Sequence, residues 1–195
     1  MAVAIGLRSK TGRAIAVVLD GSKASPRVLS RHDLILFDPK FPETVQPHHQ
    51  VMHLPWPEAE AAARKSVAAI QKMSSNALKL LIREVEAGGA EVQGIGIVGS
   101  ADRPLEKIGN YHIRAHAAEG ILYRRVLDVA ADSLGLPRRN FVEKELLERA
   151  ATELKRPAAE LRRSIEELGR KIVRPWRAEE KAAATAAWLA LARRR

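Results

Sequence analysis

The sequence predicts a mixed α/β domain, in which a β-sheet is flanked by helices and followed by a helical C-terminal extension. Three stretches predict it. Residues 4–7 and 14–19 are apolar runs on either side of a basic, glycine-containing segment, residues 8–13, and Asp20-Gly21 turns the chain toward a third run, residues 28–37. Runs of this kind around short turns read as an antiparallel meander. Residues 58–87 then carry Ala62, Val67, Ile70, Ala77, Leu80, Leu81 and Val85 at helical spacing. Residues 91–99 (EVQGIGIVG) are short and β-rich and follow that helix, which predicts a buried parallel strand.

The remaining elements follow from local signals. Residues 38–57 contain five prolines, so regular helix is excluded and an extended loop is expected, with a short strand near residues 50–54. Pro57 suits the first turn of the long helix, Ser74-Ser75-Asn76 is a point where that helix can bend, and Gly88-Gly89 ends it. A second helix is expected over residues 111–134, with Asn110 as cap and Gly135 as stop. Its apolar face comprises Ile113, Ala117, Ile121, Leu122, Val126 and Val129. Gly120 costs this helix about 1 kcal/mol relative to alanine, which close packing on the sheet would explain. A short strand at residues 140–142 precedes helices at 143–154 and 157–168. An extended link at 172–176 and an alanine-rich helix at 178–192 complete the chain. The expected division is therefore a core at 1–142, a helical extension at 143–177 and a last helix at 178–195 that packs back on the core.

Composition restricts the chemistry. The chain has 195 residues, enough for one domain with an appendage. Aromatics make up only 4%, so aliphatic side chains and alanine must fill the core. The absence of cysteine excludes disulfides, thiolate metal sites and cysteine nucleophiles, and fits a reducing cytoplasm. No apolar run approaches the roughly 20 residues needed to span a bilayer, and no signal-peptide pattern is present, so a cytoplasmic protein without a membrane partner is expected. The formal net charge is +10, and residues 134–195 hold 16 Lys and Arg against 9 Asp and Glu. Such a balance favours polyanions through counterion release.

The element order and a few short motifs resemble the ribonuclease H-like fold, and within it the Holliday-junction resolvases and their relatives. Gly6-Leu7-Arg8-Ser9-Lys10-Thr11-Gly12 has the shape of that group's first strand and turn. RAHAAEGILYRRVL at 114–127 looks like its helix after the fourth strand, and EKAAATAAWLAL at 180–191 looks like its last helix. The resemblance implies a nuclease in which carboxylates bridge two Mg²⁺ ions. This chain departs from that pattern. The first-strand aspartate falls on Arg8, the fourth-strand glutamate near Val98-Gly99, and the last-helix acids near Glu179 and Ala183, where at most Glu179 or Glu180 remains. The same superfamily includes actin-like sugar kinases and ATPases, whose first hairpin wraps a phosphate, and Ser9-Lys10-Thr11-Gly12 is similar to that turn too.

Candidate residues follow. Arg8, Ser9, Lys10, Thr11 and Arg13 form a compact cationic turn able to bind phosphate through charge-assisted hydrogen bonds. Glu119, Glu179 and Glu180, with Asp20, are the carboxylates available to a relocated catalytic centre. His112 and His116 stand one helical turn apart with Glu119 three residues on. That spacing suits a metal or a proton-transfer pair of His116 and Glu119, but the expected role is hydrogen bonding at the helix–sheet margin, and no metal ligand is assigned. His48, His49 and His53 are expected on an exposed polar loop. Residues 143–168 can be read as a helix–turn–helix presenting Arg162, Arg163 and Arg170, but Glu160, Glu166 and Glu167 on the second helix mark a solvated face. Trp176 is expected to plug the core, and residues 193–195 to be a solvated tail. The expected function is binding of nucleic acid or another polyanion without the usual two-metal centre. The alternatives are a Mg²⁺- or Mn²⁺-dependent nuclease with relocated carboxylates and a non-catalytic interaction module, with a homodimer as a further expectation.

Overall fold

The apolar alternation at the N-terminus produces the sheet. The computed structural model describes residues 1–171 and 175–192. In it, β1 (Ala2–Lys10), β2 (Arg13–Gly21) and β3 (Pro26–Ile35) form an antiparallel meander, and β4 (Glu91–Gly99) and β5 (Arg138–Val142) join in parallel. The strand order is β3-β2-β1-β4-β5, so β1 is central, with β2 on one side and β4 on the other. The β1–β2 connection is tighter than expected. Lys10 pairs with Arg13, leaving Thr11 and Gly12 as a two-residue turn, with Gly12 at φ 75°. Arg8, Ser9 and Lys10 are therefore strand residues rather than turn residues. Their side chains alternate between the two faces of the sheet.

Helices cover both faces. Val3, Ile5 and Leu7 point to one face and pack with Ile70, Leu78 and Leu81 of α2 (Glu58–Ala87) and with Leu122, Val126 and Leu127 of α3 (Tyr111–Ser133). Ala4, Ile15, Val17 and Leu19 point to the other. They meet α4 (Leu146–Leu154), α5 (Ala158–Leu168) and α6 (Ala178–Leu191). The short helix α1 (Pro47–Gln50) lies in the proline-rich segment; the numbering α1–α6 follows the chain. Among the described residues no helix is long and apolar enough to cross a membrane.

Two glycines set the depth of α6. Gly6 and Gly96 are partners across β1 and β4. A Cβ on Gly6 would lie 1.7 Å from the Ala183 carbonyl oxygen, and one on Gly96 would lie 2.4 Å from that of Ala186. The helix backbone thus rests directly on the sheet, and its alanine-rich sequence suits burial nearly all round, from Ala183 to Leu189.

Several expectations are corrected. The segment at 50–54 forms no strand; the chain there makes one helical turn and then irregular turns. Buried Arg114 holds these turns by donating to the Met52 carbonyl at 3.0 Å and to that of Leu54, while stacking on Tyr111 and Trp56. α2 runs unbroken through Ser74-Ser75-Asn76, and Ser74 is fully buried against the core. Leu80, Ile113 and Val129 are exposed rather than core-facing, at 64%, 53% and 51%. Gly120 makes room for the loop after β4, since a Cβ there would lie 2.5 Å from the Ser100 hydroxyl. The expected caps are present: the Asn110 side chain accepts from the Ile113 N–H at 3.0 Å, and Gly135 has φ 68°. The Trp176 indole donates to the Ile165 carbonyl at 2.9 Å and covers Gly169. The expected link at 172–176 falls mostly outside the described residues, as do Arg174 and the tail at 193–195.

Candidate functional site

Side-chain alternation decides what meets at the carboxyl end of β1. Arg8 and Lys10 share the α6 face with Ala4 and Gly6, and the register brings Arg13, Asp33 and Arg31 of β2 and β3 onto the same face. The N-terminus of α6 lies over them, because Glu179 and Glu180 occupy its first turn. A continuous ion-pair network results. Lys10 Nζ and Arg13 Nη2 each approach Glu179 at 3.0 Å, Arg13 reaches Asp33 at 3.5 Å, and Arg31 bridges Asp33 and Glu180, the latter at 2.8 Å. The hydrogen bond from Lys10 holds the Glu179 carboxyl below its usual range. Glu180, 1% exposed, also accepts from the Arg177 backbone N–H at 2.8 Å, closing a capping box at the start of α6.

Arg8 has a separate partner. Its Nε and Nη2 donate to the two oxygens of Glu143 at 2.9 and 2.5 Å, and its Nη1 reaches the Ser9 carbonyl. Glu143 follows β5, so this fork ties the central strand to the far edge of the sheet. Ser9 points to the opposite face, where its buried hydroxyl donates to the Val98 carbonyl at 3.0 Å. Thr11 stands exposed at the turn. Of the five residues expected to bind phosphate, Arg8, Lys10 and Arg13 share one face, but each is already paired with an acid.

The three expected catalytic carboxylates do not come together. Glu179 and Glu180 are neighbours in the first turn of α6, whereas Glu119 lies on α3 in the layer on the other side of the sheet. Asp20, near the end of β2, is held by Arg27 at 2.8 Å. Near Val98-Gly99, where the resemblance places a glutamate, the strand is closely packed: a Cβ on Gly99 would lie 2.6 Å from the Ser9 hydroxyl and 3.0 Å from Arg124 Cβ. A cavity of about 460 Å³ opens beside it, lined by Ser100, Arg103, His116, Glu143 and Lys144 among others.

A second constellation surrounds Glu119, which is 1% exposed. Its Oε1 accepts from the His48 N–H at 2.9 Å and lies 3.5 Å from His49 Nδ1. Burial pushes the Glu119 carboxyl up to about 7 and the His48 imidazole down to about 4. Burial, with His116 and His112 close by, also lowers His49. His48 and His49 are therefore not on an exposed loop as expected: His48 is buried and His49 mostly so, and the chain brings His49 against His112 and His116 of α3. This third histidine carries no local signal of its proximity to the α3 pair, because His49 and His112 are 63 residues apart in sequence.

A run of cations also stands on α2. Residues 61–83 carry Arg64, Lys65, Lys72, Lys79 and Arg83 and no acid. All five are exposed on α2 and make no ion pair among the described residues. A charge count restricted to this helix would have singled it out.

No protein-family model matches the chain, and no curated protein matches it. Solved structures do. The chain is similar to the Thermus thermophilus RuvC structure at 14% sequence identity, with a TM-score of 0.50 over 96% of this chain and 92% of that one. It is also similar to T. thermophilus RuvC in complex with Holliday junction substrate, at 13% identity and a TM-score of 0.53 over 97% and 92%. The fold is ribonuclease H-like. In that fold, the carboxyl end of the central strand β1 and the start of α6 meet where Arg8, Lys10, Arg13, Arg31, Asp33, Glu179 and Glu180 form their network.

Proposed function

We propose that the protein binds nucleic acid or a similar polyanion through a ribonuclease H-like domain that lacks the two-metal nuclease centre of its resolvase-like relatives. One observation carries this reading: at the carboxyl end of β1 stands a guanidinium clamped on Glu143, and the acids of α6 are taken up by Lys10, Arg13 and Arg31. Mg²⁺ and Mn²⁺ take hard oxygen ligands. Among the described residues, the group of side chains placed to share a metal ion is His49, His112 and His116, on the α3 side of the sheet rather than on the α6 face where Arg8 stands. The donor set does not fit a pair of such ions, and a cation at position 8 opposes them.

The binding surface that fits best is α2 rather than the β1–β2 turn, whose cations are already paired. A rise of 1.5 Å per residue spaces Lys65, Lys72 and Lys79 about 10 Å apart along the helix, and Arg83, one turn beyond Lys79, extends the row. The solved complex of T. thermophilus RuvC with Holliday junction substrate makes a four-way DNA junction a natural first ligand to assay.

Fluorescence anisotropy with a four-way junction, a duplex and a single strand provides the test. Binding is expected at low salt and is expected to weaken steeply between about 50 and 200 mM. Replacing Lys65, Lys72 and Lys79 by glutamine together should reduce the log–log salt slope by about 2 to 3, since each phosphate contact contributes roughly 0.9. Absence of binding at the lowest salt overturns the proposal. DNA cleavage dependent on Mg²⁺ or Mn²⁺ would overturn the claim of a missing nuclease centre.

A further inference from the structure

The second histidine of the proline-rich segment and two histidines one turn apart on α3 converge on one point. Ring centroids of His49 and His116 are 4.5 Å apart, those of His112 and His116 also 4.5 Å, and those of His49 and His112 5.4 Å. One nitrogen from each lies within 4.8 Å of the others. The Nε2 atoms of His112 and His116 face each other at 2.9 Å. Behind His49 sits the Glu119 carboxylate, with Oε1 3.5 Å from Nδ1. Both ring nitrogens of His49 and the second oxygen of Glu119 are buried without a hydrogen-bond partner.

From this geometry we infer a site for a zinc-class divalent cation, held by His49, His112 and His116 and backed by Glu119. Imidazole nitrogens suit such ions, whereas Mg²⁺ and Ca²⁺ prefer oxygen. With Nδ1 turned toward Glu119, His49 has Nε2 left to ligate, which is the carboxylate–histidine–metal arrangement that fixes a ligand ring and raises its basicity. Two metal–nitrogen bonds of about 2.0–2.1 Å at a tetrahedral angle place the nitrogens about 3.3 Å apart. His112 and His116 need only separate by a few tenths of an ångström, a small rotamer adjustment for two exposed side chains. Three imidazoles leave a fourth position for water or an anionic ligand, and His116 also lines the cavity beside Gly99 and Glu143. The ion would join the segment carrying α1 to α3, where the chain otherwise relies on Arg114, Tyr123 and the Glu119–His48 hydrogen bond. This inference is independent of nucleic-acid binding.

The test uses full-length, untagged protein stripped with a chelator. Calorimetric titration with Zn²⁺ should give one saturable equivalent per chain and raise the Tm. Titration with Co²⁺ should give the strong visible absorption of a four-coordinate ion. His112→Gln and His116→Gln alter exposed positions on a long helix and should retain the fold by circular dichroism, while each weakens Zn²⁺ binding at least tenfold. Glu119→Gln should weaken it about 10- to 100-fold, and His53→Gln should leave it unchanged. The site is overturned if no saturable binding occurs, if folded His112→Gln and His116→Gln bind as the parent does, or if His53→Gln loses binding equally.

Discussion

Arg8 and Glu143 form a two-pronged pair, Nε to Oε1 at 2.9 Å and Nη2 to Oε2 at 2.5 Å, that joins the central strand to the residue following the edge strand. The Arg8 side chain is only 12% exposed and Glu143 is 51% exposed. The two partners therefore respond differently to replacement. Arg8→Ala leaves an exposed carboxylate that water can solvate and should cost about 1–2 kcal/mol by urea denaturation. Glu143→Ala leaves a mostly buried guanidinium with one backbone acceptor and should cost more. Arg8→Asp places an acid in the central strand. Here it faces Glu143 with its cation removed, so the variant should be less stable than Arg8→Ala and should gain no Mn²⁺-dependent nuclease activity. Equal stability of the Asp and Ala variants, or measurable cleavage, would show that the centre is closer to a working one than the ion pairs imply.

The seating of α6 on β1 and β4 gives a second prediction. Gly6→Ala drives a methyl to 1.7 Å from a backbone carbonyl oxygen that belongs to a buried helix and cannot move alone. The whole helix must lift, exposing Trp188 and a layer of alanines, so the loss should exceed about 4 kcal/mol. Gly96→Ala, with its nearest approach at 2.4 Å, should be costly but less so. Thermal melts followed by near-UV circular dichroism, in which Trp188 reports on the interface, provide the comparison. A Gly6→Ala protein that melts near the parent temperature would mean that α6 does not lie on the sheet as described.

How much of this was legible in the sequence depended on the range of the signal. The strands and long helices were, because apolar periodicity is local: residues 4–7 and 14–19 sit inside β1 and β2, and Gly88-Gly89 ends α2. Strand ends were not legible, because Arg8, Ser9 and Lys10 carry polar side chains at the tip of a strand whose outer turn lies beyond the core. The grouping of sites failed for a different reason. Glu119 and Glu180 look alike as acids on apolar helices, and only the side of the sheet that each helix covers separates them. His49 was read with its sequence neighbours His48 and His53, whereas its spatial neighbours are on α3. Polarity misled at Ser74 and apolarity at Ile113 and Val129, since helical spacing fixes a stripe only to within one residue on either side.

Ser74 yields a stabilising substitution. Its hydroxyl is completely buried in the α2 face that meets the core, and it makes no hydrogen bond. Desolvating such a group without a partner costs about 1–3 kcal/mol. Alanine removes the hydroxyl, leaves a gap smaller than a methyl group and has the higher helix propensity. Ser74→Ala should therefore raise the unfolding free energy by about 1 kcal/mol, read as a higher urea midpoint at unchanged m-value. A lower midpoint would indicate that the hydroxyl has a partner in solution, such as a buried water.

Acid sensitivity should be concentrated in two carboxylates. Hydrogen bonds from Arg139 hold Glu153 below the usual carboxylate range, and one from Lys10 does the same for Glu179. A depressed folded-state value means that between it and the ordinary value of 4.5 the unfolded chain binds a proton that the folded chain does not. Stability therefore rises with pH through that interval, is fully present above it and is lost as pH falls through the folded value. Both groups are partly exposed, so each contribution at neutral pH should be modest, about 1 kcal/mol or less. Glu153→Gln and Glu179→Gln should each lower stability at pH 7, and the loss should shrink as pH falls below the ordinary value of 4.5. Glu153 joins α4 to β5 through Arg139 and pairs within α4 with Arg149, and Glu179 joins α6 to the β1–β2 hairpin. The two pairs share no partner, so their effects should add in the double variant. Denaturation curves of the four proteins across pH 3 to 7 decide it: a constant gap between parent and variant over that range would mean that the ion pairs contribute through shape rather than charge.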